Sequence, residues 1–265
     1  MAPRLLSCLV KPSSSEKINA MADVEAEEQR QGGAVVVELF TSQGCATSPE
    51  AELLASRLGR GDFELGIPLI LLAHHVDYWD YMGWKDPFGS SLSTVRQKTY
   101  VEALGLDTMF TPQVVVQGRA HCTGTDQEAL LASITSAPRF PAPTFQANFQ
   151  RPSPDTLQVS LSGALRMKVD SNGANVMVAL YENGLITNCQ SGENKGKVLS
   201  NDFVVRKLDK LCSIKDISSK KTVSGAVNFP LWEGFNSGKC VIAVFVQNSS
   251  HQTFGSQNFK LPENL

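Results

Sequence analysis

Net charge is nearly absent from this chain: 24 Lys and Arg stand against 26 Asp and Glu over 265 residues, a balance of −2. Such a chain carries no electrostatic footprint for nucleic acid or for an anionic membrane surface. No apolar run approaches the roughly 20 residues that span a bilayer. The six cysteines, Cys8, Cys45, Cys122, Cys189, Cys212 and Cys240, lack paired spacing. Neither a zinc site nor a small disulfide scaffold is indicated, and a reducing, cytoplasmic compartment is the plainer reading. The four histidines form no ligand pattern either: His74 and His75 are adjacent in a strand, so they diverge to opposite faces, and no metal is expected. No internal repeat is visible.

One stretch is rich in signal. Val35-Val36-Val37-Glu38-Leu39-Phe40 reads as a buried strand, Ser42-Gln43-Gly44 as a loop, and Pro49 with Glu50 and Glu52 as a helix start. Cys45 therefore sits at a strand-to-helix corner, where unpaired N–H groups and the helix dipole favour the thiolate. The dipole alone contributes only about 0.3 to 1 kcal/mol, less than one pKa unit. Ser48, three residues on, is the natural N-cap before Pro49, and its hydroxyl is also the nearest donor for a Cys45 thiolate.

The helix after Cys45 carries Leu53, Leu54 and Leu58, and the apolar run Ile67 to Ala73 reads as a parallel strand buried on both faces. A right-handed crossover brings the loops after both strands to one sheet edge, so Cys45 and the stretch His74-His75-Val76-Asp77-Tyr78-Trp79-Asp80 are expected as neighbours. A helix follows from about Ser91 to Leu104, with an apolar stripe of Val95, Tyr100, Val101 and Leu104. Then come a strand opened by Thr111-Pro112, a hairpin through Gly118, and a helix capped by Thr125 or Asp126. Proline-rich residues 137–144 read as a linker. Beyond them, short strand signals at 157–161, 175–181, 203–208, 222–229 and 240–246 alternate with turns at Ser171-Asn172-Gly173, Glu182-Asn183-Gly184 and Asn236-Ser237-Gly238, the pattern of a β-sandwich. Residues 1–33 read as a disordered polar tail, with Met21 as an alternative start. Arg4, Lys11 and Ser13-Ser14-Ser15 suit an organellar transit segment, the alternative location, whereas Asp23, Glu25, Glu27 and Glu28 do not.

Cys45-Ala46-Thr47-Ser48 is spaced like a Cys-x-x-Cys redox motif whose second cysteine is replaced. With His75-Val76-Asp77-Tyr78-Trp79-Asp80, Gly83-Trp84-Lys85-Asp86-Pro87-Phe88 and Thr111-Pro112-Gln113, it resembles a thioredoxin-like family of bacteria and plants catalogued as domain of unknown function 1223. The resemblance runs from about Ala34 onward and includes the Gly192-Glu193-Asn194-Lys195-Gly196 loop, for which the residues themselves suggest no chemistry. It implies an α/β thioredoxin-like domain over 34–136, followed by an all-β sandwich-like domain over 145–265. It also implies a cis peptide bond before Pro112 and substrate contacts from Thr111 and Pro112, beside His75, Tyr78 and Trp79. Without the resemblance a trans proline is the commoner state. Ser48 as a cap, His75 as a structural hydrogen-bonding group and the aromatic loop as a core anchor are the plainer roles.

Two functions lead, ahead of a third in which the chain is a scaffold whose β-sandwich half carries the interaction. In the first, Cys45 and Ser48 are the catalytic pair of a monothiol thiol-disulfide oxidoreductase: no neighbouring thiol can resolve a mixed disulfide, so no cofactor is bound and glutathione serves as co-substrate, with protein thiols as partners. In the second, the groove near Pro112 is a non-catalytic module that recognises a peptide or protein partner. Cys45 that titrates below a free cysteine supports the first, and binding that survives Cys45→Ser supports the second. Oligomeric state is left open.

Overall fold

A computed structural model describes residues 32–166, 173–215 and 222–265. The segment read as a polar tail, apart from Gly32 and Gly33, and Ser171-Asn172 of one expected turn lie outside the described residues. The described chain is mostly β. In order it forms β1 (Val35–Thr41), α1 (Ser48–Arg60), β2 (Leu69–His75), α2 (Ser91–Ala103), β3 (Gln113–Val116), β4 (Ala120–Thr123), α3 (Gln127–Ser136), β5 (Thr144–Ser153) and β6 (Thr156–Ala164). There follow β7 (Ala174–Glu182), β8 (Leu185–Asn188), β9 (Val198–Asn201), β10 (Val204–Ile214), β11 (Thr222–Pro230), β12 (Cys240–Asn248) and β13 (Thr253–Lys260).

The expected fold class, an α/β thioredoxin-like domain followed by a separate β-sandwich, is overturned by the sheet topology. Eight strands from both halves form one mixed sheet in the order β13-β12-β7-β10-β2-β1-β3-β4. The physical reason is an open edge. β2 is buried from Ile70 to His75 and pairs with β1 on one side only; β10 covers its other side in parallel, with Val204 opposite Ala73 and the Ala73 N–H donating to the Phe203 carbonyl at 2.8 Å. A three-stranded sheet, β11-β6-β5, then packs over the strands of the second half: Leu157, Val159, Leu161, Val227 and Phe229 meet Val176, Val178, Leu180, Ile242 and Val244. A small β8-β9 pair stands apart beside α1.

Locally the elements follow the residues. β1 and β2 are parallel with Thr41 opposite His75, so the loops that follow them emerge together, and β3 runs antiparallel to β1. Asp126 caps α3, its side chain accepting from the Ala129 N–H at 2.9 Å. Two apolar stripes depart from expectation. Leu53 of α1 is exposed, and α2 turns Val95 to solvent while burying Ser93, Arg96, Gln97 and Tyr100.

That inversion has an electrostatic cause. Glu38 stands in the middle of β1, fully buried, and a buried carboxylate must be paired. Arg96 supplies the pair: its Nη2 donates to Glu38 Oε1 at 2.9 Å and its Nε to Oε2. The Tyr100 hydroxyl donates to the same carboxylate, His74 Nε2 lies 2.9 Å from it, and Gln247 Nε2 of β12 donates to the Tyr100 oxygen at 2.8 Å. Burial works to raise the Glu38 pKa, but the Arg96 charge and the contacts of His74 outweigh it and hold the carboxyl well below its ordinary range. Its contribution to stability is therefore complete above the ordinary carboxylate pKa and is lost as pH falls through the folded value. Glu38→Gln, which leaves Arg96 buried without a counter-charge, is expected to cost about 3–5 kcal/mol at neutral pH, with the deficit narrowing as pH drops below about 4. Combining it with Arg96→Met should recover part of the loss. Equilibrium urea unfolding checks both, and a single variant within about 1 kcal/mol of the native chain would contradict the assignment.

Candidate functional site

The loop between β1 and α1 carries the thiol. Cys45 is 4% exposed, between the buried Gly44 and the exposed Ala46 and Thr47. Gly44 packs tightly on its neighbour, since a Cβ there would lie 3.0 Å from Trp79 Cβ and 3.2 Å from the Trp79 carbonyl oxygen. The helix starts at Ser48 with Pro49 in its first turn, and Thr47 flanks it without capping it through its side chain. Ser48, expected as the cap, is instead the first helical residue and turns its Oγ back to accept the Ser42 N–H at 3.3 Å.

One hydroxyl stands within reach of the sulfur. Thr47 Oγ1 is 3.5 Å from Sγ. The Ser48 and Thr111 side chains also act to lower the pKa of the thiol. Each of those two oxygens accepts an N–H elsewhere, Ser48 from Ser42 at 3.3 Å and Thr111 from Trp79 Nε1 at 2.6 Å. Burial raises the Cys45 pKa, but hydrogen bonds from Ser48, Thr111 and Thr47, including the Thr47 N–H, bring it below its ordinary value. The Thr111–Pro112 peptide bond is cis, and the Thr111 carbonyl oxygen lies 3.5 Å from Sγ, where it accepts the S–H of the neutral thiol.

Of the residues singled out in the sequence, Cys45, Ser48, Thr111 and Pro112 come together, and Trp79 joins them through Thr111. Tyr78 is half-buried and donates to Gln97 Oε1 at 3.1 Å; burial pushes its hydroxyl up to about 12. His75 is turned elsewhere. Its Nδ1 donates to Asp86 Oδ2 at 2.7 Å, and its Nε2 lies 3.3 Å from Glu52 Oε1 but off the line of a hydrogen bond. Its two nitrogens thus serve carboxylates on opposite sides, and among the described residues no group of side chains is arranged to hold a metal ion.

Several site residues were not singled out in the sequence. Asp86 accepts the Gln43 N–H at 2.7 Å as well as His75, which ties the cysteine loop to the loop after β2. Glu52, read as a helix-start acid, is buried and accepts from Thr41 Oγ1 at 2.8 Å. The Gln43 side chain accepts from Trp84 Nε1 at 3.1 Å and donates to Asn201 Oδ1 at 2.7 Å and to Thr187 Oγ1 at 3.1 Å. The Gly83–Phe88 stretch could have flagged Asp86 and Trp84, as part of the resemblance; nothing in the local pattern marks Glu52 or Gln43. A cleft of about 250 Å³ opens between α1 and β9, walled by Ser48, Glu52, Ser56 and Asn201, with the exposed Leu53 and Val198 at its rim. Ser48 lines the cleft and also acts on the thiol, while Cys45 itself is not part of the cleft wall.

Fold and site together define a protein with a mixed eight-stranded sheet and a hydroxyl-lined thiol at a strand-to-helix corner, facing a cis-proline peptide. The chain belongs to the family described as protein of unknown function DUF1223, whose pattern matches residues 36–247. It is similar to an Agrobacterium tumefaciens protein known from its crystal structure, at 25% identity and a TM-score of 0.58 over 85% of this chain and 93% of that one. It also shares the fold of HBP35 of Porphyromonas gingivalis, with a TM-score of 0.60 and 13% identity over 87% of this chain and 76% of that one. No curated protein matches the chain. Among the described residues no helix is long and apolar enough to cross a membrane.

The charge pattern behind the loop yields a pH prediction. The His75 charge and the Gln43 and Phe88 N–H groups outweigh burial and lower the Asp86 pKa; for His75, burial is outweighed by the Asp86 and Glu52 charges, and its pKa rises. The Asp86 contribution is lost as pH falls through its lowered folded pKa, and the His75 contribution is lost as pH rises through its raised one. Asp86→Asn is therefore expected to destabilise most between about pH 4 and pH 6.5, by about 3–5 kcal/mol, and less on either side. Urea unfolding of both proteins across pH 3–9 checks this, and a pH-independent difference would contradict it.

Proposed function

We propose that the protein is a thiol-disulfide oxidoreductase of monothiol type with Cys45 as its nucleophile. The observation that carries the reading is the set of hydroxyl donors from Thr47, Ser48 and Thr111 around a single thiol whose pKa is lowered. The thiolate attacks one sulfur of a disulfide, forming a mixed disulfide on Cys45 and releasing the other half as a thiolate. A glutathione thiolate then attacks the substrate-side sulfur, regenerating the Cys45 thiolate and leaving a substrate–glutathione disulfide. The hydrogen bonds that stabilise Cys45 in the resting state also make it a good leaving group in this second step. Thr111 and cis-Pro112 supply the backbone beside which a substrate would lie, and Trp79 fixes Thr111.

Burial of Cys45 favours a second reading, a non-catalytic site that binds a partner at the Thr111–Pro112 segment. One comparison separates them. Cys45→Ser is expected to reduce glutathione-linked turnover of a small disulfide to the uncatalysed rate, and Ser48→Ala to lower it while raising the pH midpoint of Cys45 alkylation. Turnover that survives Cys45→Ser would overturn the oxidoreductase reading.

A further inference from the structure

The turn between β8 and β9 reaches across to the thiol. It is closed on itself by the Cys189 N–H donating to the Lys197 carbonyl at 3.0 Å and the Gly196 N–H to the Cys189 carbonyl at 2.8 Å. Gly192 adopts φ +72° and packs so tightly on Trp84 that a Cβ would lie 2.8 Å from Trp84 Cβ; Ser191 Oγ donates to the Gly83 carbonyl at 2.6 Å. Docked in this way, the turn inserts Asn194, whose side chain is fully buried. Asn194 Nδ2 donates to the Gln43 carbonyl at 2.8 Å and to the Cys45 carbonyl at 2.9 Å, the two carbonyls that flank Gly44. Its Oδ1 accepts from the Lys197 ammonium at 2.9 Å.

This arrangement uses both N–H donors of one amide on the backbone that carries the thiol, and a cation polarises that amide from behind. A carbonyl held on Asn194 cannot swing toward Sγ, where its negative end would oppose a thiolate. With residues 43–45 held, the Thr47 N–H and the Thr47 and Ser48 hydroxyls keep their aim at the sulfur. We infer that Asn194 is a positioning residue for Cys45, holding the loop in the shape in which its donors face the thiolate, and that the 189–197 turn is a working part of the thiol site. The inference rests on the oxidoreductase reading above and adds to it a residue about 150 positions away in sequence.

Asparagine suits the place for a chemical reason. An aspartate would set a carboxylate oxygen beside two carbonyl oxygens, and an alanine would leave both carbonyls buried without a donor. The test measures the pH dependence of iodoacetamide labelling at Cys45 in the full chain, read by peptide mass mapping, for the native protein, Asn194→Ala and Asn194→Asp, with thermal unfolding followed alongside. The expected result is an upward move of the Cys45 midpoint in both folded variants, so that labelling at pH 7, relative to its own high-pH limit, falls by about threefold or more. Lys197→Met, which leaves both hydrogen bonds in place, should move the midpoint in the same direction by less.

A low native midpoint that both folded variants retain would overturn the role of Asn194 and leave the oxidoreductase reading intact. A native Cys45 that titrates as a free cysteine would overturn both. Failure of both variants to fold would also overturn the inference, because the amide would then support the fold rather than the thiol.

Discussion

A carboxylate buried at the centre of β1 sets much of the architecture. Glu38 lies in an otherwise apolar strand, and an unpaired charge there would cost several kcal/mol. Its partners come from different elements: His74 from β2, Arg96 and Tyr100 from α2 and, through Tyr100, Gln247 from β12. Satisfying one charge thus dictates which strand lies beside β1, which face α2 presents and where the far half of the sheet sits. The polar inner face of α2, odd by any apolar-stripe rule, follows from it.

The same demand for contacts explains how two halves share one sheet. The seam between β2 and β10 is narrow, with Val204 opposite Ala73 as its bridged pair. Side chains do the rest of the joining. Gln43 reaches Thr187 and Asn201, Ser56 donates to Asp202 at 2.8 Å, and Arg206 of β10 lies over the rings of Phe88 and Trp232. Because these contacts gather at the end of the sheet where β1 and β2 stop, the segment that follows β7 closes over the cysteine loop. The thiol site is consequently composite: the thiol and the hydroxyls beside it come from the first half, and Asn194, which binds their backbone, comes from the second.

Behind that loop lies a second buried polar group, Glu52, His75 and Asp86. It takes His75 away from the sulfur, so the lowering of the Cys45 pKa falls to neutral hydroxyls and an N–H. Neutral hydroxyls lower the thiol pKa without adding charge to a site that is nearly closed to water. His75 and Lys197 are linked to the loop through Asp86 and Asn194.

The residues alone determined the local pieces. β-branched runs and Pro49 were enough to set β1, the start of α1, the parallel pairing with β2 and the meeting of the two loops, because these depend on short-range propensity and on the fixed hand of a crossover. The cis bond at Pro112 came through the resemblance rather than from the residues. Tertiary structure alone decided the rest. Alternation along β7, β10 and β12 says that a strand is buried, but not whether its edge meets another strand of its own half or the free edge of β2, so the separate sandwich was the natural and mistaken inference. It likewise decided the partners of Glu38, the turning of His75 onto Asp86 and the placing of Asn194 beneath Cys45. Each of these pairings joins residues distant in sequence, driven by the cost of burying a polar group without a partner, and that cost has no local signature.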